Sequence, residues 1–114
     1  MCIRDRGNSI TAKLANYEES GFKKTVDVGS YRPNPWGFFD MHGNVTEWCL
    51  DLLQSYPKNS VVDPLIDGNG EIRTIRGGSW MHGESLMRSA DRGPGRPNYK
   101  YSHRGFRVAF KQVD

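Results

Sequence analysis

The chain has 114 residues, with 16 Lys and Arg set against 13 Asp and Glu for a formal charge of +3. That length holds one domain at most, and no apolar run approaches the roughly 20 residues that a membrane-spanning helix needs, so a spanning protein is excluded. Thirteen glycines and six prolines argue for many turns and little regular structure, against a helical bundle or a coiled coil.

The opening Met1-Cys2-Ile3-Arg4-Asp5-Arg6 lacks the apolar core of a secretory leader. It reads as adapter sequence translated at the broken end of a gene, so residues 1–6 are expected to be non-native and the natural N-terminal part to be missing. Cys2 and Cys49 are the only cysteines, and disulfide stapling is not expected. From Gly7 to Ser30 the chain is polar, with one short apolar stretch, Ile10 to Tyr17, that reads as a weak strand or helical turn. Val26 to Val28 alternates like a half-buried strand. The turn formers between Gly29 and Gly37 then force a bend.

Val45, Trp48, Cys49 and Leu52 follow helical spacing, which predicts a helix capped by Asn44 and ending near Pro57. Residues 57–71 are a polar loop with turn signals at Asp63-Pro64 and Asp67-Gly68. Ile72 to Arg76 predicts a strand stopped by Gly77-Gly78, Ser85 to Ala90 a strand or helical turn, and residues 91–104 a loop. Phe106 to Phe110 predicts a closing strand. Charge is uneven along this order: residues 1–75 hold 8 basic and 10 acidic groups, residues 76–114 hold 8 and 3. The later arginines stand singly between Gly, Ser and aromatic residues, which is the pattern of solvated and structural arginines. Nucleic acid is not an expected partner.

One constellation stands out on residue type. The carboxylates of Asp40 and Glu47 and the carbonyls of Gly43 and Val45 fall close enough in sequence to converge on one hard cation, which takes six to eight oxygens. Gly43 permits a tight turn and Asn44 tolerates an unusual backbone angle. The competing reading is that Asp40 caps the helix and Glu47 lies on its solvated face.

Three separated segments, Asn34 to Cys49 (NPWGFFDMHGNVTEWC), Arg76 to Trp80 (RGGSW) and Gly105 to Ala109 (GFRVA), together resemble the formylglycine-generating enzyme family, the sulfatase-modifying factor domain. Ala15-Asn16-Tyr17 and Arg88-Ser89-Ala90, with Arg92 beyond, fit the same pattern. The resemblance covers residues 15–110 and implies the C-terminal half of a longer domain, in residues 7–114. The fold it implies is a loop-rich α+β, C-type-lectin-like one, N-terminally truncated here.

The resemblance implies calcium at Asp40, Gly43, Val45 and Glu47. It implies a weaker second calcium site at Asn16, Tyr17 and Phe22, where Ser20 stands in place of a carboxylate and Glu18 or Glu19 is the nearest substitute. The family's chemistry uses two cysteines after the Gly-Gly-Ser-aromatic motif, which bind copper(I) and exchange with a substrate cysteine. Those positions are His82 and Met87 here. Neither can form a mixed disulfide, so neither formylglycine-generating activity nor copper is expected. Ser79, His82, His103 and Arg76 become candidates for lining a substrate cleft that takes a protein or peptide. Arg76, Arg88 and Arg107 have the alternative of bonding loop carbonyls. Cys49 reads as a buried core thiol, and Trp36, Trp48 and Trp80 as core. The resemblance leaves three functions open: a family member without the activity, the C-terminal part of a larger enzyme such as an iron-dependent sulfoxide synthase, and an extracellular or envelope lectin-like binding module.

Overall fold

The computed structural model describes residues 9–110 apart from Asp63, so the adapter-like residues 1–6, with Cys2, lie outside the described residues. A four-stranded mixed sheet forms the frame, in the order β3-β2-β1-β4. The strands are β1 (Thr46–Leu52), β2 (Arg73–Arg76), β3 (Gly93–Gly95) and β4 (Arg104–Gly105), with 3-10 turns at Glu18–Ser20 and Glu84–Met87. Strand with a little helix is an α+β arrangement, and most of the chain is loop. No helix among the described residues is long and apolar enough to cross a membrane.

Residues 46–52 form a strand and not the predicted helix. Asn44 explains why: its φ is +62°, whereas an N-cap residue takes an extended backbone. Its side chain is committed elsewhere, with Oδ1 accepting the Val26 N–H (2.9 Å) and Nδ2 donating to the Val26 carbonyl (3.1 Å). The next residues then pair on both sides, antiparallel with β2 (Glu47 opposite Arg76, Trp48 opposite Ile75) and parallel with β4 (Thr46 opposite Arg104). Two ladders outweigh a periodicity that Val45, Trp48, Cys49 and Leu52 satisfy only formally. The same Asn44 bonds account for Val26 to Val28, which is loop and not strand: the backbone of Val26 is paired to a side chain.

The predicted strand at 72–76 is present as β2. Of the two readings for 85–90, a helical turn is found, one residue early. The predicted loop 91–104 contains β3, a Gly-Pro-Gly strand on the sheet's edge, where a proline does not interrupt a ladder. The predicted closing strand, Phe106 to Phe110, is irregular. Arg107 leaves the sheet line to reach Glu47, and Phe106 and Phe110 are 76% and 95% exposed.

Buried polar side chains are as prominent as apolar ones. Ile10, Ala15, Tyr17 and Met87 form the apolar cluster, while Asn16, Asn34, Asn44, Thr46, Thr74 and Ser79 are also buried. In a loop-rich chain the asparagines supply the partners that regular structure would give the backbone. Asn16 Nδ2 donates to the Lys24 carbonyl (2.9 Å) and to Asn44 Oδ1 (3.1 Å). The Asn44 N–H donates back to the Asn16 carbonyl (2.7 Å). Asn34 Oδ1 accepts the N–H groups of Trp36 and Phe38, both at 3.0 Å. This closes the turn through Gly37 and leaves Trp36 62% exposed, outside the core expected for it. Trp48 and Trp80 are half-buried.

Candidate functional site

Arg76 at the end of β2 is followed by Gly77 and Gly78, with φ of +92° and +68°. At Gly78 a Cβ would collide with the Met87 thioether, so only glycine lets the chain pass there. The turn that results buries Ser79 completely and sets Ser79 Oγ 3.1 Å from His82 Nδ1. His82 is thereby fixed at the wall of a cavity of about 360 Å3, which Arg76, Asp91, Arg92, His103 and Arg104 also line. His103 meets His82 edge-on, ring centroids 5.6 Å apart. Burial works most strongly against charge on both rings; in His82 nearby Asp91 opposes it and Arg104 adds to it, and in His103 first the neighbouring His82 and then Arg104 add to it. Three of the four cleft candidates, Arg76, His82 and His103, therefore share one cavity, and the fourth, Ser79, holds His82 from beneath.

Arg76 donates to the carbonyls of Ser89 (3.0 Å) and Asp91 (3.4 Å), as the loop-carbonyl alternative has it. Arg92 and Arg104 also line the cavity and were not among the sequence candidates. Arg92 carried a weak signal as the arginine past Arg88-Ser89-Ala90. Arg104 carried none inside a predicted loop. Its guanidinium lies over the rings of Tyr101 (4.6 Å) and Trp48 (5.0 Å).

Met87, one of the two positions where the resemblance leads one to expect cysteine, is fully buried in the apolar cluster with Ile10, Ala15 and Tyr17. His82 faces the cavity, so the two positions do not present side chains to one space. Cys49 is half-buried, not fully buried as expected, and lines a different cavity with His42 and Arg88. Burial pushes its thiol pKa up, with Arg76 offsetting only part. A raised pKa is the opposite of what a nucleophilic thiol needs.

Asp40, Gly43, Val45 and Glu47 line a third cavity together, also about 360 Å3. Gly43 turns there with φ +79°, and a Cβ on it would strike the Asn16 carbonyl. The carbonyls of Gly43 and Val45 accept none of the loop hydrogen bonds among the described residues. The donor set is all oxygen and fits a hard cation. Both carboxylates hold protein partners as well: Asp40 Oδ2 accepts the Gly29 N–H at 2.6 Å, and Glu47 takes Arg107 in a fork, from Nη2 at 2.7 Å and Nε at 3.0 Å. Arg107 thus bonds a loop carbonyl, that of Asp40 at 3.3 Å, as the alternative has it, and in addition forms an ion pair with Glu47 that the sequence reading did not include. At the second site the Ser20 hydroxyl lies 2.7 Å from both Asn16 Oδ1 and the Tyr17 carbonyl. A hydroxyl thus joins the two oxygens that the resemblance gives to calcium, and Phe22 is exposed beside them.

A mixed sheet threaded by loops, with a glycine-pinned turn over a recessed cavity and an oxygen-lined pocket beside β1, defines a loop-rich α+β domain. Residues 4–112 match the Sulfatase-modifying factor enzyme 1-like domain, and the chain belongs to that family. It is 38% identical over 99 residues to a formylglycine-generating enzyme of Streptomyces coelicolor, covering 82% of this chain and 32% of that one. It is 35% identical over 107 residues to the serine/threonine-protein kinase pkn1 of Chlamydia pneumoniae, covering 90% of this chain and 17% of the relative. Among solved structures, Treponema denticola variable protein 1 superposes with a TM-score of 0.75 at 32% identity, over 82% of this chain and 34% of that one. The chain thus spans about a third or less of the length of these relatives.

Proposed function

We propose that residues 7–114 are the C-terminal part of a sulfatase-modifying factor domain with the C-type-lectin-like fold, one that binds a protein or peptide in its cleft without generating formylglycine. The observation that carries this reading is the pair His82 and Met87: one position faces the cavity as an imidazole, the other is sealed in the core. Exchange with a substrate cysteine needs a thiolate that can attack and be attacked. Cys49, with a raised pKa in another cavity, does not supply it. Structural calcium at Asp40, Gly43, Val45 and Glu47 belongs to the proposal, supported by the oxygen donor set gathered around one pocket.

A second reading, a part of a larger enzyme, is favoured by the kinase relative, of which the matched region is only 17%. On that reading the chemistry lies in other parts of the chain, and the cleft serves recognition. Either way, incubation of the protein with a sulfatase-motif peptide, with and without copper, leaves the peptide cysteine unconverted by mass spectrometry. Formylglycine formed above a no-enzyme control overturns the proposal.

A further inference from the structure

The cavity between β2, β4 and the Ser79–His82 turn is strongly asymmetric in charge. Arg76, Arg92 and Arg104 line it with two imidazoles, and Asp91 is the single acid among the lining residues. Among the described residues none of the three arginines has a carboxylate within ion-pair distance; the ion pairs there are Arg73 with Asp67 and Arg107 with Glu47. Arg104 Nε and Nη1, and Arg92 Nε, are buried and have no hydrogen-bond acceptor. Buried guanidinium N–H groups without an acceptor are rare in folded proteins, because each forfeits its hydration and receives nothing in return.

We infer that this cavity is an anion site that receives a carboxylate group of the ligand, with Arg104 as its principal donor and, as the second, the Nε of Arg92, whose Nη2 already donates to the Gln54 carbonyl at 2.7 Å. A carboxylate presents two oxygens in one plane, which a guanidinium fork matches with two parallel bonds. The fork of Arg104 is preset, since its plane lies over Trp48 and Tyr101 and little side-chain freedom remains to be lost on binding. Ile75, Leu86 and Pro94 complete the walls, so water is partly excluded and each charged bond gains strength. The volume, about 360 Å3, admits a side chain or a small acid. This rests on reading the cavity as the family's cleft and adds the chemical class of what enters it.

The two histidines make the site responsive to pH. His82 faces Asp91 from the loop before β3, Glu18 from the first 3-10 turn and Arg104 from β4; His103 faces His82, Arg104 and the Tyr101 ring, 5.1 Å between centroids. In the free protein burial shifts both rings toward their neutral form. A bound carboxylate favours their charged form, so binding takes up protons and tightens as pH falls.

Calorimetry on the full-length protein, its native fold first verified by a cooperative melt, tests this with four probes: succinate, the blocked peptide acetyl-Gly-Glu-Gly-amide, its Gln counterpart and inorganic phosphate. Succinate and the Glu peptide bind, the Gln peptide binds at least about tenfold more weakly, and affinity rises about threefold or more between pH ~8 and pH ~6. A Glu peptide tighter than succinate identifies a protein source for the carboxylate, and the reverse a small acid. Arg104→Met lowers affinity by about tenfold. Because Arg104 also packs on Trp48, Arg92→Gln is measured beside it and lowers affinity by about fivefold.

No carboxylate binding at about 10 mM, equal binding of the Gln peptide, phosphate binding in place of carboxylate, or indifference to both substitutions overturns the inference. Its failure is separable from failure of the family reading, since peptide conversion is read by mass and carboxylate binding by heat. A chain that neither converts the sulfatase peptide nor binds carboxylate loses only the anion site.

Discussion

Arg107 and a cation would compete for one carboxylate. Glu47 holds the guanidinium in a two-bond fork that raises its pKa further, a geometry that a half-exposed pair rewards only modestly. An ion that gathers Asp40, Glu47 and the carbonyls of Gly43 and Val45 must displace Arg107 or share Glu47 with it. Calcium binding only the native state at ~100 times its dissociation constant contributes about 2.7 kcal/mol. The expected outcome is a higher melting temperature with calcium, lost in chelator and absent in Asp40→Ala. A melting curve indifferent to chelator shows that the Arg107–Glu47 pair, and no ion, closes this pocket. Residue-scale reading of the sequence reached the members of this pocket through the Asn34 to Cys49 motif. It did not reach the guanidinium on Glu47, because residues 60 apart give no local signal.

At the scale of elements, β1 shows where pattern and fold part. Val45, Trp48, Cys49 and Leu52 suit a helix, yet Thr46 to Leu52 also supplies the strand that β2 and β4 require on either side. Periodicity over so few residues cannot separate the two, and tertiary pairing decides. β2 was legible because its Ile72 to Arg76 run is strand-like and stopped by two glycines. β3 was hidden because Gly-Pro-Gly is turn chemistry in any local reading. Its lack of side chains is what the sheet uses: a Cβ on Gly95 would strike the Trp48 ring and come within 2.8 Å of Ile75 Cγ2. Gly95→Ala is therefore expected to cost about 1–3 kcal/mol of stability by forced repacking. It also alters the near-ultraviolet signature of Trp48, whereas Pro94→Ala, at an exposed edge position, does neither. A Gly95→Ala variant with unchanged melting and an unchanged Trp48 signal contradicts the close approach of β3 to β1. Arg76, His82 and His103 of the anion cavity came from motifs. Arg92 and Arg104 escaped because what marks them, a buried donor with no acceptor, is a property of the folded arrangement alone.

For the whole molecule the decisive feature is how little apolar surface the described residues bury among themselves. The apolar cluster is Ile10, Ala15, Tyr17 and Met87, while Val28 is 87% exposed, Trp36 62%, Phe106 76% and Phe110 95%. Val28, Phe39 and Phe106 line the same pocket as Asp40 and Glu47, so exposed rings gather on one side of β1 instead of scattering singly. Contiguous exposed apolar surface is uncommon on a self-sufficient monomer, and a large buried side chain contributes about 1.5–3 kcal/mol when covered. Several such side chains left in water are comparable to the ~5–15 kcal/mol stability of a typical domain. Residues 7–114 expressed alone are therefore expected to be partly unfolded or prone to aggregate, to bind the dye ANS strongly, and to unfold over a broad, shallow denaturant transition with red-shifted tryptophan emission. A single steep transition from a blue-shifted native state without ANS binding would show that the asparagine clamps at positions 16, 34 and 44 suffice to hold the fold, with its apolar side left in water.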